Sequence, residues 1–184
     1  MKKTKLATTL AEILIAITIL SVLIVGIMNL FTSSIKNSAN TMTHQDNMEA
    51  ANILMAQIEH DLAKATNIIV PAANEESSEA TWENNSLKNA SNIYTKFTYN
   101  NVNQSEGINR CVTINDNKSE NYNYAKEHPT KITFKHITTD SKSSSESGVI
   151  IRKHAMLVNL VVGSKNSEVP PFTMKRLIFI PGSY

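Results

Sequence analysis

The chain has 184 residues and a formal net charge of +2, from 18 basic and 16 acidic side chains. A net charge so close to neutral does not suggest a nucleic-acid-binding surface, so no nucleic-acid partner is indicated. The single cysteine, Cys111, excludes an intramolecular disulfide. It lies in the apolar sequence Cys-Val-Thr-Ile, where we expect a buried small hydrophobic side chain.

A membrane-length apolar helix is predicted near the start of the chain, because residues 13–28 contain six Ile, three Leu and two Val. At about 0.3–0.6 kcal/mol each, these side chains favour insertion into lipid by roughly 3–7 kcal/mol. One charged residue, Glu12, opposes insertion by about 2.5–3.5 kcal/mol. A carboxylate in such a segment indicates a function, and we expect Glu12 to pair with a cation, for example a free amino group of another chain.

The first seven residues of the chain contain three lysines and no acidic side chain, and they end on a small residue, Ala7. In a secretory signal peptide the small residue of the cleavage site follows the apolar run. Here it precedes the run. Cleavage between Ala7 and Thr8 would leave the apolar helix as the mature N-terminus, with Glu12 as its fifth residue.

The basic leader, the small residue and the sequence Thr-Leu-Ala-Glu at 9–12 resemble the leaders of type IV prepilins and pseudopilins. The resemblance implies that a prepilin peptidase cleaves after Ala7 and N-methylates Thr8. It implies a single-pass protein of the bacterial inner membrane, with its C-terminal domain outside the cytoplasm. It also implies that an inner-membrane assembly platform transfers the subunit from the lipid bilayer into a pilus or a periplasmic pseudopilus.

In that family the corresponding carboxylate pairs with the N-terminal amine of a neighbouring subunit, so Thr9, Leu10 and Glu12 are expected to act in assembly with other pilin or pseudopilin subunits. The absence of a proline at Asn29, where major pilins commonly have one, favours a minor subunit. The sequence does not distinguish a type IV pilus from a type II secretion system. The alternative is an uncleaved signal anchor that carries an extracytoplasmic binding module and does not polymerise.

The expected fold is α+β and pilin-like, with a long N-terminal helix packed on an antiparallel sheet. Its parts are a leader at 1–7, a membrane-inserting and assembly helix at 8–31, and a soluble domain at 32–184. Within the soluble domain we predict an amphipathic helix at about 40–69 that ends before Pro71, because apolar residues recur at helical spacing. These residues are Met48, Ala51, Leu54, Met55, Ile58, Leu62, Ala65 and Ile69.

Three charged residues near the end of this helix, Glu59, Asp61 and Lys64, are predicted to be exposed. A loop at 72–92, with a short helical turn near Trp82, should connect the helix to one antiparallel sheet at about 93–180. Strands are predicted at 93–99, 111–114, 131–137, 149–152, 155–162 and 174–180, with turns at 115–117 and 140–142. The segments 55–65, 156–163 and 175–180 are similar to PilW-like minor pilins and J-type minor pseudopilins.

The chain has no phosphate-binding loop, zinc-protease helix or nucleophile elbow, so we expect neither an enzyme nor a catalytic residue. We expect no cofactor and no metal, with two alternatives kept open. His136 and His154 lie on or beside predicted strands and could meet across the sheet as a metal pair, although hydrogen-bonded histidines are favoured. Asp116 and Glu120 are weak calcium candidates in a segment that otherwise has the composition of a solvated turn.

Overall fold

The computed structural model describes residues 10–85, 94–101, 107–115, 118–126, 128–142, 150–163 and 168–180. The fold is α+β, with a long helix near the N-terminus followed by antiparallel strands. Two compact units divide the chain, Met1–Met42 and Thr43–Tyr184. In chain order the elements are α1 (Leu10–Leu62), β1 (Asn67–Val70), β2 (Glu76–Ser77), β3 (Glu79–Asn85), β4 (Tyr94–Asn101), β5 (Ile108–Ile114), β6 (Lys118–Tyr124), β7 (Thr130–Lys142), β8 (Ile150–Val162) and β9 (Phe172–Ile180).

In the first unit α1 is apolar on all sides from Ile13 to Phe31, and its side chains from Leu10 to Ala39 are exposed. No proline interrupts the helix, and its single glycine, Gly26, costs only about 1 kcal/mol relative to alanine. A helix that is apolar all round is typical of a buried or membrane-spanning segment.

The prediction that the helix continues to about residue 69 is wrong, because α1 ends at Leu62. After it the backbone closes tighter turns, with the Ala65 N–H bonded to the Leu62 carbonyl at 3.0 Å. Thr66 then donates its N–H to the Glu83 carbonyl at 2.8 Å, and β1 pairs with β3. The β-branched residues of this segment favour an extended backbone, and pairing with β3 outweighs the continuing apolar spacing.

Part of the predicted loop at 72–92 is also strand, since β2 and β3 lie within it. Trp82 belongs to β3 and not to a helical turn, and its ring stacks on Tyr99 at 5.2 Å between centroids. Polar neighbours concealed the alternation of β3, in which Ala80 and Trp82 are buried. Residues 86–92 lie outside the described part of the chain.

Two antiparallel sheets replace the single predicted sheet, with the strand orders β1-β3-β4-β5-β6 and β2-β7-β8-β9. Short connections predict neighbouring strands, but they do not reveal that β7 pairs with β2 and β8 rather than with β6. The described residues of the predicted strands at 149–152 and 155–162 form one strand, β8, and Val149 lies outside the described part of the chain. The predicted turn at 140–142 belongs to β7, because the ladder between these two long strands extends to Lys142 and Ile150.

From Lys118 onward the segment predicted as a solvated turn is instead a polar strand, β6. Its sequence, Lys-Ser-Glu-Asn-Tyr-Asn-Tyr, has no apolar alternation. It is an edge strand paired with β5, so main-chain hydrogen bonds define it without a buried face. Asn115 begins the connection with a φ of 48°, a conformation that asparagine tolerates better than most residues.

The core of the second unit lies between the C-terminal part of α1 and both sheets. The helix contributes a stripe that includes Leu54, Ile58 and Leu62, all fully buried, which confirms the predicted apolar face. Met48 and Ile69, at the two ends of the predicted stripe, are 41% and 40% exposed and lie outside the core. The sheets contribute Trp82, Phe97, Tyr99, Ile132, Phe134, Val158 and Leu160, among others.

Candidate functional site

The apolar part of α1 is the first candidate site, because the helix is long and apolar enough to cross a membrane. Its hydroxyl groups bond to its own backbone: Thr18 Oγ1 donates to the Ile15 carbonyl at 2.8 Å, and Ser21 Oγ donates to the Ile17 carbonyl at 2.7 Å. A bilayer core offers no water to polar groups, so such internal bonds reduce the cost of burial in lipid. This segment therefore fits a membrane anchor or a signal segment.

Two of the predicted assembly residues, Leu10 and Glu12, lie in the first turn of α1 and are exposed. A carboxylate in the first helical turn is stabilised by the helix dipole. The remaining predicted residues of this site, Ala7, Thr8 and Thr9, lie outside the described part of the chain. The structure thus places Glu12 at the start of the apolar helix.

A buried polar cluster joins the last turn of α1 to the five-stranded sheet, and we call it the Asp61 cluster. The Asp61 side chain is 2% exposed. Its Oδ2 accepts hydrogen bonds from Tyr99 Oη at 2.8 Å and from Arg110 Nε at 2.7 Å. Its Oδ1 accepts one from Gln57 Nε2 at 3.1 Å and lies 3.2 Å from His60 Nδ1. Both carboxylate oxygens are therefore engaged.

The surroundings of Arg110 stabilise its guanidinium in the charged form. Its guanidinium lies over the rings of Phe97 and Tyr122, at 5.3 and 5.4 Å from their centroids. Burial lowers the pKa of Arg110, but the hydrogen bond to Asp61 and the electrostatic interactions with Tyr99 and Asp61 together outweigh burial, so the pKa lies above its ordinary value. Burial and then the Asp61 charge raise the pKa of Tyr99, which stays a protonated donor. The cluster thus binds the helix end to the sheet through a charge-assisted network.

The prediction that Glu59, Asp61 and Lys64 are exposed is wrong for Asp61. It lies three positions after Ile58, a helical spacing that places its carboxylate on the buried stripe. This signal was present in the sequence, whereas the distant partners Tyr99 and Arg110 could not be assigned from it. Glu59 is partly exposed and accepts a hydrogen bond from Arg176 Nη1 at 2.8 Å.

His136 and His154 meet across β7 and β8, with His136 Nε2 and His154 Nδ1 2.9 Å apart. His136 Nδ1 lies 3.3 Å from the Pro71 carbonyl. Since a carbonyl only accepts, Nδ1 carries the proton and Nε2 accepts from His154. Burial, followed by the neighbouring His154, lowers the pKa of His136. The contact is a hydrogen-bonded pair, and no group of three metal-ligating His, Cys, Asp or Glu side chains occurs among the described residues.

Of the two calcium candidates, Asp116 lies outside the described residues. Glu120 is exposed on β6 and accepts a hydrogen bond from Tyr122 Oη at 2.7 Å. Cys111 is half-buried on β5, with its sulfur 3.8 Å from Thr113 Oγ1, and not fully buried as predicted.

Comparison of the chain with protein-family models, with curated proteins and with solved structures gave no match.

Proposed function

We propose that the chain is a structural minor subunit, a minor pilin or pseudopilin, of a type IV pilus or a type II secretion pseudopilus. The observation that carries the proposal is the position of Ala7 before the apolar run, five residues ahead of Glu12. Two features of the structure support it. The apolar half of α1 is exposed and membrane-length, and Glu12 lies in its first turn.

In this proposal the leader at 1–7 holds the chain on the cytoplasmic side of the inner membrane until a prepilin peptidase cleaves it and methylates Thr8. The new terminus is then a cationic amine at the start of an apolar helix. Glu12 of one subunit pairs with the Thr8 amine of a neighbour while the assembly platform extracts the helix from lipid. Packing between helices supplies the remaining affinity, because lipid offers little hydrophobic driving force for helix association.

Intact-mass measurement and N-terminal sequencing of the chain purified from cells with an active prepilin peptidase test the proposal. We expect a mature chain that begins at N-methylated Thr8. The variant Ala7→Gly should be processed at least as fast as the wild type, and Ala7→Leu should be blocked, since a small residue is required at the cut. A chain that keeps residues 1–7 in such cells would overturn the proposal.

A signal-anchored extracytoplasmic module that does not polymerise is the second candidate. The compact second unit favours it, because Thr43–Tyr184 has its own core of helix and strands. A module of this kind keeps its leader and remains in the membrane fraction, so the same mass measurement separates the two functions.

A further inference from the structure

The outward face of the four-stranded sheet carries a group of exposed lysines, and we call it the lysine face. Strand alternation places its residues opposite those that enter the core. Its exposed charged residues are Lys131 and Lys135 of β7, Lys153 of β8, Lys175 of β9 and Glu76 of β2. Four lysines and one glutamate give the described part of this face a charge of 4 − 1 = +3.

Apolar side chains occupy the centre of the lysine face. Lys135, Leu157 and Leu177 stand in one row across β7, β8 and β9, and Ile137, Ala155 and Phe179 stand in the next. Phe179 is 69% exposed and Leu177 is 45% exposed. Both belong to β9, an edge strand of the sheet. An aromatic and an aliphatic side chain are thus presented to solvent between ammonium groups.

This composition fits a membrane surface better than a protein partner. Lysine is depleted in protein interfaces relative to other surface residues. At a bilayer, lysine stems lie along apolar groups while their ammonium groups reach lipid phosphates, and aromatic side chains enter the interfacial region. A basic cluster gains about 1 kcal/mol, or roughly fivefold in partitioning, for each lysine near an anionic surface. An amphipathic and basic face therefore complements an anionic bilayer in both respects.

We propose that the lysine face binds the surface of a bilayer rich in anionic phospholipid, with Phe179 and Leu177 in the interfacial region and the lysines near lipid phosphates. The apolar segment of α1 also favours a bilayer as the partner of this face. A membrane-spanning anchor holds the second unit at high effective concentration near the lipid surface. The inference requires neither cleavage after Ala7 nor assembly into a filament. Its failure is therefore separate from failure of the proposed function.

The test places an environment-sensitive fluorophore on the face of the full chain, in lipid nanodiscs. In a Cys111→Ser background, Phe179→Cys carries the probe, and Asn121→Cys, exposed on β6 of the other sheet, is the control position. Doxyl-labelled phospholipid quenches a probe that contacts lipid. We expect strong quenching at position 179 in phosphatidylglycerol nanodiscs, weak quenching in phosphatidylcholine, and loss of quenching at high salt. Position 121 should remain unquenched in both lipids.

Charge-reversal variants test whether the lysines cause the binding. Lys135→Glu combined with Lys175→Glu should lower the partition constant in phosphatidylglycerol by at least about 25-fold, at roughly fivefold per lysine. The matched control Lys126→Glu changes an exposed lysine outside the face and should leave quenching unchanged. Equal quenching in the two lipids, equal quenching at positions 179 and 121, or no effect of the double reversal would overturn the proposal. An absence of quenching in both lipids would overturn it too and would leave an acidic protein as the partner of this face.

Discussion

The carboxylate of Asp61 is the acceptor for two donors from different strands, Tyr99 Oη and Arg110 Nε. Its removal would leave a charged guanidinium and a buried hydroxyl without their partner. Leaving one buried partner alone destabilises the fold by more than the intact pair stabilises it, because the desolvation of the remaining group is no longer offset. We therefore expect the loss of Asp61, or of one of its two donors, to destabilise the second unit.

The variant Asp61→Ala should lower the free energy of unfolding of the second unit by about 3–5 kcal/mol, the usual cost of breaking a buried ion pair from one side. The matched control is Glu59→Ala on the same helical turn, whose pair with Arg176 is exposed and should contribute about 0–1 kcal/mol. Denaturant titration followed by the fluorescence of Trp82, the single tryptophan, measures both. Equal losses in the two variants would contradict the assigned role of Asp61.

Acid sensitivity is predicted at His136, whose pKa is lowered from the ordinary value of 6.5 by burial and by His154. Well above about pH 6.5 the folded and unfolded chains both hold it neutral, so its titration has no effect on stability there. As the pH falls below this value the unfolded chain binds the proton first, and stability declines until the folded pKa is passed. The slope should reach at most about 1.4 kcal/mol per pH unit.

Unfolding titrations of the wild type and His136→Gln between about pH 8 and about pH 5 isolate this contribution. The difference in stability between the two proteins should shrink or reverse on acidification, since the variant cannot bind the proton. Parallel pH profiles would show that His136 does not titrate differently in the folded and unfolded chains.

At the scale of elements, apolar spacing predicted the helix face and the strands that pack into the core. It did not predict the segments that main-chain hydrogen bonds alone define. The buried stripe from Ala51 to Leu62 and the apolar parts of β4, β5, β7, β8 and β9 could be read from the sequence, because each has a face that must leave water. The polar strand β6 and the end of α1 could not, because ladder hydrogen bonds with distant strands decide them. The same holds for the Asp61 cluster. The helical spacing from Ile58 places Asp61 on the buried stripe, but the sequence does not indicate that Tyr99 and Arg110 are its partners.

The stripe assignment predicts opposite outcomes for two isoleucines of the same helix. Ile58 is fully buried and Ile53 is 55% exposed. Ile58→Asp should lower the free energy of unfolding by at least about 2–5 kcal/mol, the usual cost of a large-to-small change in the core, because it also buries an unpaired charge. Ile53→Asp should remain within about 0.5 kcal/mol of the wild type. Thermal and denaturant unfolding compare them directly, and a normal melting temperature for Ile58→Asp would show that the stripe is misassigned.

At the scale of the molecule, the two units divide two physical tasks. The first unit exposes apolar surface that water disfavours, so it is stable as a helix only where lipid or other helices cover it. The second unit buries its own helical stripe in a core shared with both sheets and binds the helix end through the Asp61 cluster. The proposed function needs both, a segment that can move from lipid into a filament and a domain that keeps its fold during that transfer.

Glu12 is where the proposed assembly can be separated from membrane anchoring. Glu12→Ala removes a charge from an apolar segment, so membrane insertion should be retained or improved. Assembly should weaken, because a hydrogen bond to a charged partner contributes about 1.5–3 kcal/mol, or roughly 10- to 100-fold in the association constant. Glu12→Gln, which keeps the size and removes the charge, should behave like Glu12→Ala, and Glu12→Asp should be intermediate because of its shorter reach.

Crosslinking to neighbouring subunits measures assembly, and fractionation of the membrane pool measures insertion. Equal incorporation of the wild type and Glu12→Ala would reject the charge pair and favour an anchored module that does not polymerise.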